Sequence, residues 1–324
     1  MTKAIRIHET GGAEVLCWED FDPGSPPPGW VRVRHTAVGV NFIDTYHRSG
    51  LYPLALPSGI GMEAAGVVEA LGDGVTQWKL GDRVAYGTGP IGAYAEAACV
   101  PAERVVAIPD GVRDEQAAAL MLKGLTAWYL LRRTYRVKPG ETILFHAAAG
   151  GVGLLACQWA KHLGATVIGT VGSEAKAAIA SAHGCAHVID YKRERFPSRV
   201  RELTGGRGVP VVYDGVGRDT FDGSLDSLAP LGLMVSFGNA SGPPPPLDLL
   251  RLSIGGSLFV TRPTLVHYTA DPKDLAEGAA EMFALVAGGQ MKVEVHQRYP
   301  LAEAAAAHRD LEARKTTGAT VLLP

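Results

Sequence analysis

The residues best suited to chemistry form a glycine-rich turn in the middle of the chain. Residues 141–164 read as a short apolar segment, then small residues and glycines, then a helical pattern. A strand, a tight turn and a helix in that order suit the pyrophosphate of a dinucleotide. Bare backbone can approach the phosphates, and the helix N-terminus offers free N–H groups. The turn reads Ala148-x-Gly150-x-x-Gly153, so alanine replaces the first glycine of the G-x-G-x-x-G template. A plain strand-to-helix corner is the alternative interpretation.

The sequence on either side of this turn alternates between strand and helix patterns. Apolar runs predict strands at 142–147, 166–171, 187–190, 209–213, 232–237 and 257–261. Helical spacing predicts helices at 152–163, 174–182, 196–203 and near 218–228. Six strands joined by helices are the count expected for a complete dinucleotide-binding fold, which is an α/β doubly wound parallel sheet.

The flanking regions have a different pattern. In the first 120 residues, strands are predicted at 3–8, 15–20, 30–38, 92–100 and 104–108, with weak helical spacing over 39–53. Gly72-Asp73-Gly74 predicts one hairpin turn and Gly81-Asp82 another, which together suggest a small barrel-like module. A helix over 115–133 leads into the alternating region. After it, helices at 273–287 and 302–314 and strands at 291–299 and 319–323 are expected to return to the first domain.

Composition excludes several classes of function. The chain has 324 residues and a net charge of −2 without a basic block, so neither nucleic-acid binding nor membrane-surface binding is expected. No apolar run is long enough for a transmembrane helix, and the first residues lack an apolar signal core, so a cytoplasmic location is expected. Cys17, Cys99, Cys157 and Cys185 lie far apart, which suits reduced thiols and supplies no zinc framework.

The end of the second predicted strand favours NADP over NAD. NAD enzymes usually place an acidic residue there to bind the ribose 2′-hydroxyl. Here the strand is followed by Gly172-Ser173, with Glu174 nearby but not at the strand end. Lys176 and Tyr191 could reach a 2′-phosphate, the lysine as a charge and the tyrosine as a donor. A solvated lysine on a helix face is the alternative for Lys176.

Seven segments carry a resemblance to a known family. They read GVNFIDTYHRSGLYP, GMEAAGVVEALGDGV, KGLTAWYLLR, FHAAAGGVGLLACQWAK, VVYDGVGRDTF, GLMVSFGNASG and GSLFVTRP. Over essentially its whole length the chain resembles the zinc-independent NADPH:quinone oxidoreductases (ζ-crystallin-like) of the medium-chain dehydrogenase/reductase superfamily. The resemblance implies a GroES-like β-barrel catalytic domain at 1–122, completed by 265–324. It also implies a six-stranded Rossmann NADP-binding domain at 123–264.

The positions that bind zinc in related alcohol dehydrogenases differ here. The segments that carry a cysteine and a histidine ligand in those enzymes present Asn41 and Met62. An amide and a thioether are poor zinc ligands beside thiolate and imidazole. The structural zinc lobe of the superfamily needs four close cysteines, whereas residues 86–99 contain one. No metal is therefore expected.

The resemblance also implies site residues. Asn41, Asp44, Tyr46 and Tyr52 would line the substrate cleft, the tyrosines stacking on a quinone ring and donating hydrogen bonds to the quinol oxygens. Loop packing is the alternative for both tyrosines, and a structural role is the alternative for Asp44. The cofactor residues carried over from the family are Thr126, Tyr129, Gly150, Gly151, Val152, Gly153, Gly172, Ser173, Lys176, Tyr191, Phe237, Gly238, Asn239, Val260, Thr261 and Arg314.

Two of these assignments compete with simpler roles. Arg314 matches a family arginine at the 2′-phosphate, but it could equally complement a helix dipole. His146 lies beside the glycine turn, and we interpret it as a packing residue because no orienting carboxylate is near it in sequence.

The activity implied is NADPH-dependent reduction of small quinones by a homodimer, with the subunit contact near residues 257–260. Reduction of an enal or enone by the same cofactor is the alternative, and it demands a better placed proton donor. NADPH-dependent RNA binding or a crystallin role is a third possibility, and the absence of a basic stripe weighs against RNA.

Overall fold

The computed structural model describes residues 2–324, in which strands and helices follow one another in two distinct patterns. The strands are β1 (Thr2–Ile7), β2 (Cys17–Phe21), β3 (Trp30–Val40), β4 (Ser58–Gly59), β5 (Ala64–Leu71), β6 (Arg83–Tyr86), β7 (Ala97–Pro101), β8 (Val106–Ala107), β9 (Thr142–Phe145), β10 (Thr166–Val171), β11 (Cys185–Asp190), β12 (Val209–Asp214), β13 (Leu228–Ser236), β14 (Phe259–Thr261), β15 (Val295–Pro300) and β16 (Ala319–Leu323). The α-helices are α1 (Phe42–Ser49), α2 (Asp114–Tyr129), α3 (Gly151–His162), α4 (Glu174–Ala182), α5 (Phe196–Leu203), α6 (Phe221–Asp226), α7 (Leu249–Ile254), α8 (Leu265–Tyr268), α9 (Pro272–Ala287) and α10 (Ala304–Glu312).

The chain forms two units. The first contains the described residues up to Leu125 together with Thr269–Pro324, and the second contains Thr126–Tyr268. Helix α2 spans the division and passes into a π-helical turn at Leu130–Thr134, so the predicted single helix over 115–133 changes its winding near its end.

The first unit is built on two sheets. One has the order β15-β16-β3-β5-β6-β8 with β7 also paired to β3, and the other has the order β2-β1-β4. The long strand β3 alternates buried and less buried side chains over its first half, which is the two-residue period of a half-buried strand. Its buried side joins a core that includes Ile5, Val33, Val68, Val84 and Leu322.

The prediction of two hairpin turns between residues 72 and 82 was wrong. Strands β5 and β6 pair antiparallel, and the connection between Leu71 and Arg83 contains both glycine turns without a strand between them. Gly74 and Gly81 each adopt a positive φ, so the two glycines allow one connection to bend twice.

Helix α1 begins at an extended Asn41, whose backbone N–H donates to Asp44 Oδ2 at 2.8 Å. It ends at Gly50 in the left-handed conformation. The residues that α1 buries run from Asp44 to Arg48 and are largely polar. The helical pattern is weak in the sequence because the buried side of the helix carries hydrogen-bonding groups instead of an apolar stripe.

The second unit contains a six-stranded parallel sheet with the order β11-β10-β9-β12-β13-β14. Counted along the unit, this is the order 3-2-1-4-5-6 of a doubly wound dinucleotide-binding sheet. All six predicted strands are confirmed, and the largest differences lie at the ends. Strand β13 begins earlier than predicted, at Leu228, and β14 begins later, at Phe259, after a left-handed Ser257.

Candidate functional site

The glycine turn joins β9 to α3 and has a tightly determined backbone. Ala147 adopts a positive φ of 52°, and its carbonyl accepts a hydrogen bond from the N–H of Gly150 at 2.8 Å. A Cβ on Gly153 would overlap that same carbonyl, so a side chain at this position would displace the turn. Gly150 is the N-cap of α3, and the first turn of the helix therefore presents N–H groups at the edge of the sheet.

The alanine that replaces the first template glycine has a partner in the neighbouring strand. Ala148 is fully buried, and its N–H donates to the carbonyl of Thr170. A Cβ on Gly169 of β10 would lie 2.7 Å from the Cβ of Ala148, closer than two carbon atoms can pack. The missing side chain at Gly169 thus makes room for the extra methyl group at Ala148. The pairing of β9 with β10 creates this relation, which the sequence motif does not contain.

The turn stands at the point where the strand order of the sheet reverses, between β9 and β12. In doubly wound sheets the ligand crevice lies outside the carboxyl ends of the strands at this point. Asp214 ends β12 and is fully buried, and its carboxylate accepts hydrogen bonds from the N–H groups of Val216 and Gly217 and from the Thr220 hydroxyl. Asp214 therefore holds the β12–α6 loop on its side of the crevice.

His146 is buried and meets the ring of Phe196 edge to face, as a packing residue would, but a carboxylate that is distant in sequence lies near it in the fold. Its Nδ1 lies 2.8 Å from Thr170 Oγ1 and its Nε2 lies 2.9 Å from Ser224 Oγ, and that hydroxyl donates to Asp214 Oδ2 at 2.8 Å. Burial lowers the pKa of His146, and the charge of Asp214 opposes that shift. The network joins His146, which directly follows β9, to residues of β10, β12 and α6. The carboxylate is 68 positions away in the chain, so local sequence could not reveal it.

At the far end of the crevice, the β10 terminus carries the residues predicted to select NADP. A Cβ on Gly172 would collide with the hydroxyl of Tyr191, so this hydroxyl lies directly over the strand end. Ser173 caps α4, and its side chain accepts the N–H of Lys176. The side chain of Glu174 is 83% exposed and lies 3.4 Å from Arg193, which places this carboxylate in an ion pair at the surface.

The late strands place the other predicted cofactor residues. Phe237, Gly238 and Asn239 follow β13, and a Cβ on Gly238 would overlap the carbonyl of Gly215. Val260 and Thr261 lie in β14. Arg262, which sequence reasoning missed, donates from Nη1 to the carbonyl of Gly238 at 3.0 Å.

The remaining three predicted cofactor residues lie outside the strands of the parallel sheet and the loops that follow them. Thr126 and Tyr129 lie in the last turn of α2, where Tyr129 is stacked on Tyr268 with ring centroids 4.6 Å apart. Arg314 belongs to the first unit, beyond the end of α10, with an exposed side chain and a positive φ of 58°.

In the first unit, the predicted substrate residues gather on and after α1. The rings of Tyr46 and Tyr52 meet edge to face at 5.3 Å, and the N–H of Tyr52 donates to the carbonyl of Tyr46 at 3.0 Å. His47 also meets the ring of Tyr52 edge to face, at 6.0 Å. The loop after α1 is therefore folded back onto the helix, so the two tyrosines form one aromatic group.

Asn41 lies between two buried carboxylates. Its backbone N–H donates to Asp44, and its side-chain Nδ2 donates to Glu63 Oε2 at 2.8 Å. Glu63 also accepts the N–H of Leu122 and lies 2.9 Å from the Nζ of Lys123. Both Asp44 and Glu63 are fully shielded from solvent. Burial raises the pKa of Asp44 to about 7, and the hydrogen bonds from Asn41 and Tyr94 oppose that shift.

The residues present here do not fit a zinc ion. The amide of Asn41 is committed to Glu63, and the ammonium group of Lys123 already supplies a positive charge to that carboxylate. Within residues 2–324 no group of three or more histidine, cysteine, aspartate or glutamate side chains is arranged to hold a metal. No step of the chemistry is therefore assigned to a metal.

Comparison with known proteins places this architecture in a class. The chain matches the family model of zinc-binding dehydrogenases over residues 151–282 and that of the alcohol dehydrogenase GroES-like domain over residues 27–110. A GroES-like unit with a six-stranded dinucleotide-binding sheet defines the medium-chain dehydrogenase/reductase superfamily, which confirms the fold expected from the sequence.

Closer relatives narrow the class. The chain is 58% identical over 325 residues to the quinone oxidoreductase of Pseudomonas aeruginosa, with both chains fully covered. The crystal structure of Escherichia coli quinone oxidoreductase complexed with NADPH is 51% identical, with a TM-score of 0.98 over 99% of this chain and 100% of that one. The 2-haloacrylate reductase of a Burkholderia species is 48% identical over 100% of this chain and 99% of its own length. The chain belongs to the quinone oxidoreductase family.

Sequence reasoning missed several residues that shape these sites. They are Glu63, Lys123, Tyr94, Arg48, His308, Asp214 and Arg262. Each is an ordinary polar residue in the sequence, and only its burial or its distant partner distinguishes it.

No helix among the described residues combines the length and the apolar character needed to span a membrane.

Proposed function

We propose that this chain is a reductase that uses NADPH to reduce small quinones without zinc. The observation that carries the proposal is full-length identity of 51–58% to proteins named quinone oxidoreductase. The glycine turn at the reversal point of the sheet, where Gly150 caps the N-terminus of α3, supports it independently.

The residues of the chain would divide the work between the two units. We assign cofactor binding to a domain at 123–264 and substrate binding to a domain at 1–122 with 265–324. When bound, NADPH supplies a hydride. The N–H groups at Gly150–Gly153 would hold the pyrophosphate, while Tyr46 and Tyr52 would stack on the acceptor and donate to its oxygens. Asn41 and Asp44 would fix the start of α1 beneath the tyrosines.

The alternative acceptor is an activated alkene, because a relative 48% identical over its full length is named 2-haloacrylate reductase. The discriminating experiment is a side-by-side assay of NADPH oxidation with 1,4-benzoquinone, larger quinones, 2-alkenals and 2-chloroacrylate. Higher kcat/KM with quinones supports the proposal. Turnover of the alkenes without turnover of any quinone would refute it.

Selection of NADPH is assigned to Lys176 and Tyr191 at the β10 end. We expect Lys176→Ala to raise KM for NADPH about tenfold and to leave KM for NADH nearly unchanged, because the lysine would meet only the 2′-phosphate. Lys192→Ala is the matched control, since Lys192 is an exposed lysine beside Tyr191. Comparable KM values of the unaltered protein for the two cofactors would contradict the assignment.

Zinc independence is tested by elemental analysis of the purified protein. We expect less than stoichiometric zinc and full activity after dialysis against a chelator. The reason is that the carboxylate of Glu63 already forms an ion pair with Lys123 and a hydrogen bond with Asn41. Stoichiometric zinc that is lost together with activity would overturn the proposal.

A homodimer through the β14 edge is proposed on exposed apolar side chains. Ile254 is 78% exposed, Leu249 is 74% exposed and Phe259 is 58% exposed. Phe259 lies in β14, the last strand of the sheet, and the other two lie in α7, the helix that precedes it in the chain. We expect Phe259→Asp to yield monomers in light scattering. Leu80→Asp, at a 64% exposed leucine of the other unit, is the control and should leave the mass unchanged. A monomeric unaltered protein would refute the proposed dimer.

We further propose a cytoplasmic location and no binding of RNA. The four cysteines are all free thiols, as expected in a reducing compartment. Cell fractionation tests the location. Gel-shift titration with AU-rich RNA at several salt concentrations tests the binding.

A further inference from the structure

A chain of buried hydrogen bonds leads from the surface of the first unit to Asp44. The guanidinium of Arg48 is paired in two places with Glu312, with its Nη2 lying 2.6 Å from Oε1 and its Nη1 lying 3.1 Å from Oε2. The same Nη1 lies 3.1 Å from His308 Nδ1. His308 Nε2 lies 3.0 Å from the Tyr94 hydroxyl, and that hydroxyl donates to Asp44 Oδ2 at 2.9 Å.

The direction of these hydrogen bonds follows from Arg48. A guanidinium has only donors, so His308 Nδ1 must accept and its proton must be on Nε2. His308 Nε2–H then donates to the Tyr94 oxygen, which leaves the Tyr94 proton for Asp44. His308 is neutral because burial, and secondly the charge of Arg48, lower its pKa to about 3. The hydrogen bonds from Arg48 to His308, from His308 to Tyr94 and from Tyr94 to Asp44 therefore all point toward Asp44.

A second buried tyrosine–histidine pair in the same unit runs the other way. His35 Nδ1 lies 2.7 Å from the carbonyl of Ala95, which can only accept, so Nδ1 carries the proton. His35 Nε2 must then accept from the Tyr86 hydroxyl, 3.0 Å away. The hydroxyl of Tyr86 therefore donates its one proton to the histidine and cannot donate to a carboxylate. In each pair, the group bonded to Nδ1 of the histidine decides the direction of the hydrogen bond between histidine and tyrosine. That group is Arg48 for His308 and the carbonyl of Ala95 for His35.

The two oxygens of Asp44 have unequal surroundings. Oδ2 accepts from the Asn41 N–H and the Tyr94 O–H, whereas Oδ1 is buried and has no hydrogen-bond partner among the described residues. Lys123 favours the charged form of Asp44 and Glu63 opposes it, but burial has the largest effect and raises the pKa of Asp44. Since both sites on Oδ2 are filled by donors, a proton on this carboxyl has only Oδ1 to occupy.

We propose that Arg48, His308 and Tyr94 are positioning residues that commit Oδ2 of Asp44 to accepting, so that neutral Asp44 holds its proton on Oδ1 as the proton store of the substrate site. The proposal rests on the proposed function in one respect, which is that α1 carries the substrate residues. Neither Tyr94 nor His308 has been assigned a contact with cofactor or substrate.

The reaction requires one proton in addition to the hydride, and the proposed role of Asp44 is to supply it. Hydride transfer to a quinone oxidises NADPH to NADP⁺ and leaves the monoanion of the hydroquinone, and hydride transfer to an enone leaves an enolate. In either case one proton is still required. The O–H bond at Asp44 Oδ1 breaks, and a bond to hydrogen forms on the anion. The carboxylate of Asp44 then takes up one proton from solvent before the next cycle, which requires a transient opening because its side chain is fully shielded.

Infrared difference spectroscopy of the protein without cofactor tests the arrangement directly. We expect the carbonyl stretch of a protonated carboxylic acid, absent in Asp44→Asn, that disappears with a midpoint near pH 7. Tyr94→Phe removes a donor to the charged form and should move the midpoint upward by about one pH unit. Tyr86→Phe, the matched control with a tyrosine of opposite direction, should leave the midpoint unchanged.

Two variants of His308 distinguish an effect of hydrogen-bond direction from an effect of packing. His308→Gln can accept from Arg48 and donate to Tyr94, so it should keep the midpoint, whereas His308→Leu should shift it as Tyr94→Phe does. An unchanged midpoint in both Tyr94→Phe and His308→Leu, or no acid band that depends on Asp44 in the unaltered protein, overturns the proposal.

Measurements of quinone turnover test the proton-donor role of Asp44 separately from the proposed quinone reductase activity. The alkaline limb of the kcat/KM profile, which reports groups of the free enzyme, should follow the infrared midpoint in the unaltered protein and in Tyr94→Phe. If Asp44→Asn keeps full kcat at every pH, quinone reduction stands and the role of the store is refuted. If no variant reduces quinones but the infrared shifts occur, the positioning chain stands and the proposed function is refuted.

Discussion

Glu63 and Asp44 are two fully buried carboxylates that share a neighbour but differ in their charge partner. Both accept a hydrogen bond from Asn41, one from its side chain and the other from its backbone. Glu63 lies 2.9 Å from the ammonium of Lys123, whereas the donors to Asp44 are neutral. Glu63 is therefore held in a buried ion pair, whereas Asp44 has no cation in direct contact and burial raises its pKa to about 7. The two sites differ in the charge of the group that contacts the carboxylate.

The largest effect is expected where the ion pair is broken. Lys123→Met leaves Glu63 as an uncompensated buried charge, which should lower the free energy of unfolding by about 3–5 kcal/mol. Urea denaturation at pH 7 measures it. The double variant Glu63→Gln/Lys123→Met removes both charges and should recover most of the loss. Equal losses in the single and double variants would show that the pair does not act as a charge pair.

The pH dependence of stability should single out Asp44. Its pKa is about 7 in the folded state against 3.8 as a model value, so between these values the folded state binds more protons than the unfolded state. The contribution of Asp44 is therefore most favourable at acid pH and declines as the pH rises from about 4 to about 7. The stability of Asp44→Asn relative to the unaltered protein should rise across that window by at most about 4 kcal/mol.

Buried histidines impose the opposite slope, and the comparison must allow for it. Burial lowers the pKa of His35 to about 4 and that of His308 to about 3. Their contribution is complete above the unfolded pKa of 6.5 and is lost as the pH falls below it. Both proteins share this slope, so it cancels in the difference between Asp44→Asn and the unaltered chain. A difference that stays flat from acid to neutral pH would contradict the raised pKa of Asp44.

A smaller effect is expected at the residue that joins the two sites. Asn41→Ala removes the hydrogen bond to Glu63 but keeps the backbone N–H that Asp44 accepts. We expect a loss of about 1–3 kcal/mol in the free energy of unfolding without a change in the infrared midpoint of Asp44. Thr45→Ala, which loses a 2.7 Å bond to the carbonyl of Phe42, is the control for a neutral acceptor. A shift of the midpoint in Asn41→Ala would show that the side-chain hydrogen bond of Asn41 to Glu63 contributes to the pKa of Asp44.

The smallest effect is expected at the surface end of the chain. Glu312 is 40% exposed in its side chain, so Glu312→Gln should cost less than about 1 kcal/mol and the cost should fall with added salt. Arg48 keeps its bond to His308, so the infrared midpoint should stay in place. A midpoint that moves with this variant would show that Glu312, and not the direction of the chain, controls Asp44.

The two units differ in how much of them the sequence predicted. Helices α4 and α5 and strand β10 lie where the residue pattern placed them, because regular βα units repeat the same local period. The connection between β5 and β6 was misjudged, because two glycine turns look alike whether or not a strand separates them. In the site, the glycine turn was recognised from spacing, but its dependence on Gly169 was not, since strand pairing brings Ala148 and Gly169 together.

The sequence by itself determined the βα order, the glycine turn and the absence of zinc-type side chains at residues 41 and 62. These features depend on residue type and short spacing, which a linear pattern contains. Only the tertiary structure decided that Lys123 neutralises Glu63 and that His308 directs Tyr94 toward Asp44. These partners lie 60 and 214 positions apart, and their protonation depends on burial and on the direction of each hydrogen bond. Folding creates both conditions, so residue identity alone could not foretell which carboxylate holds a proton.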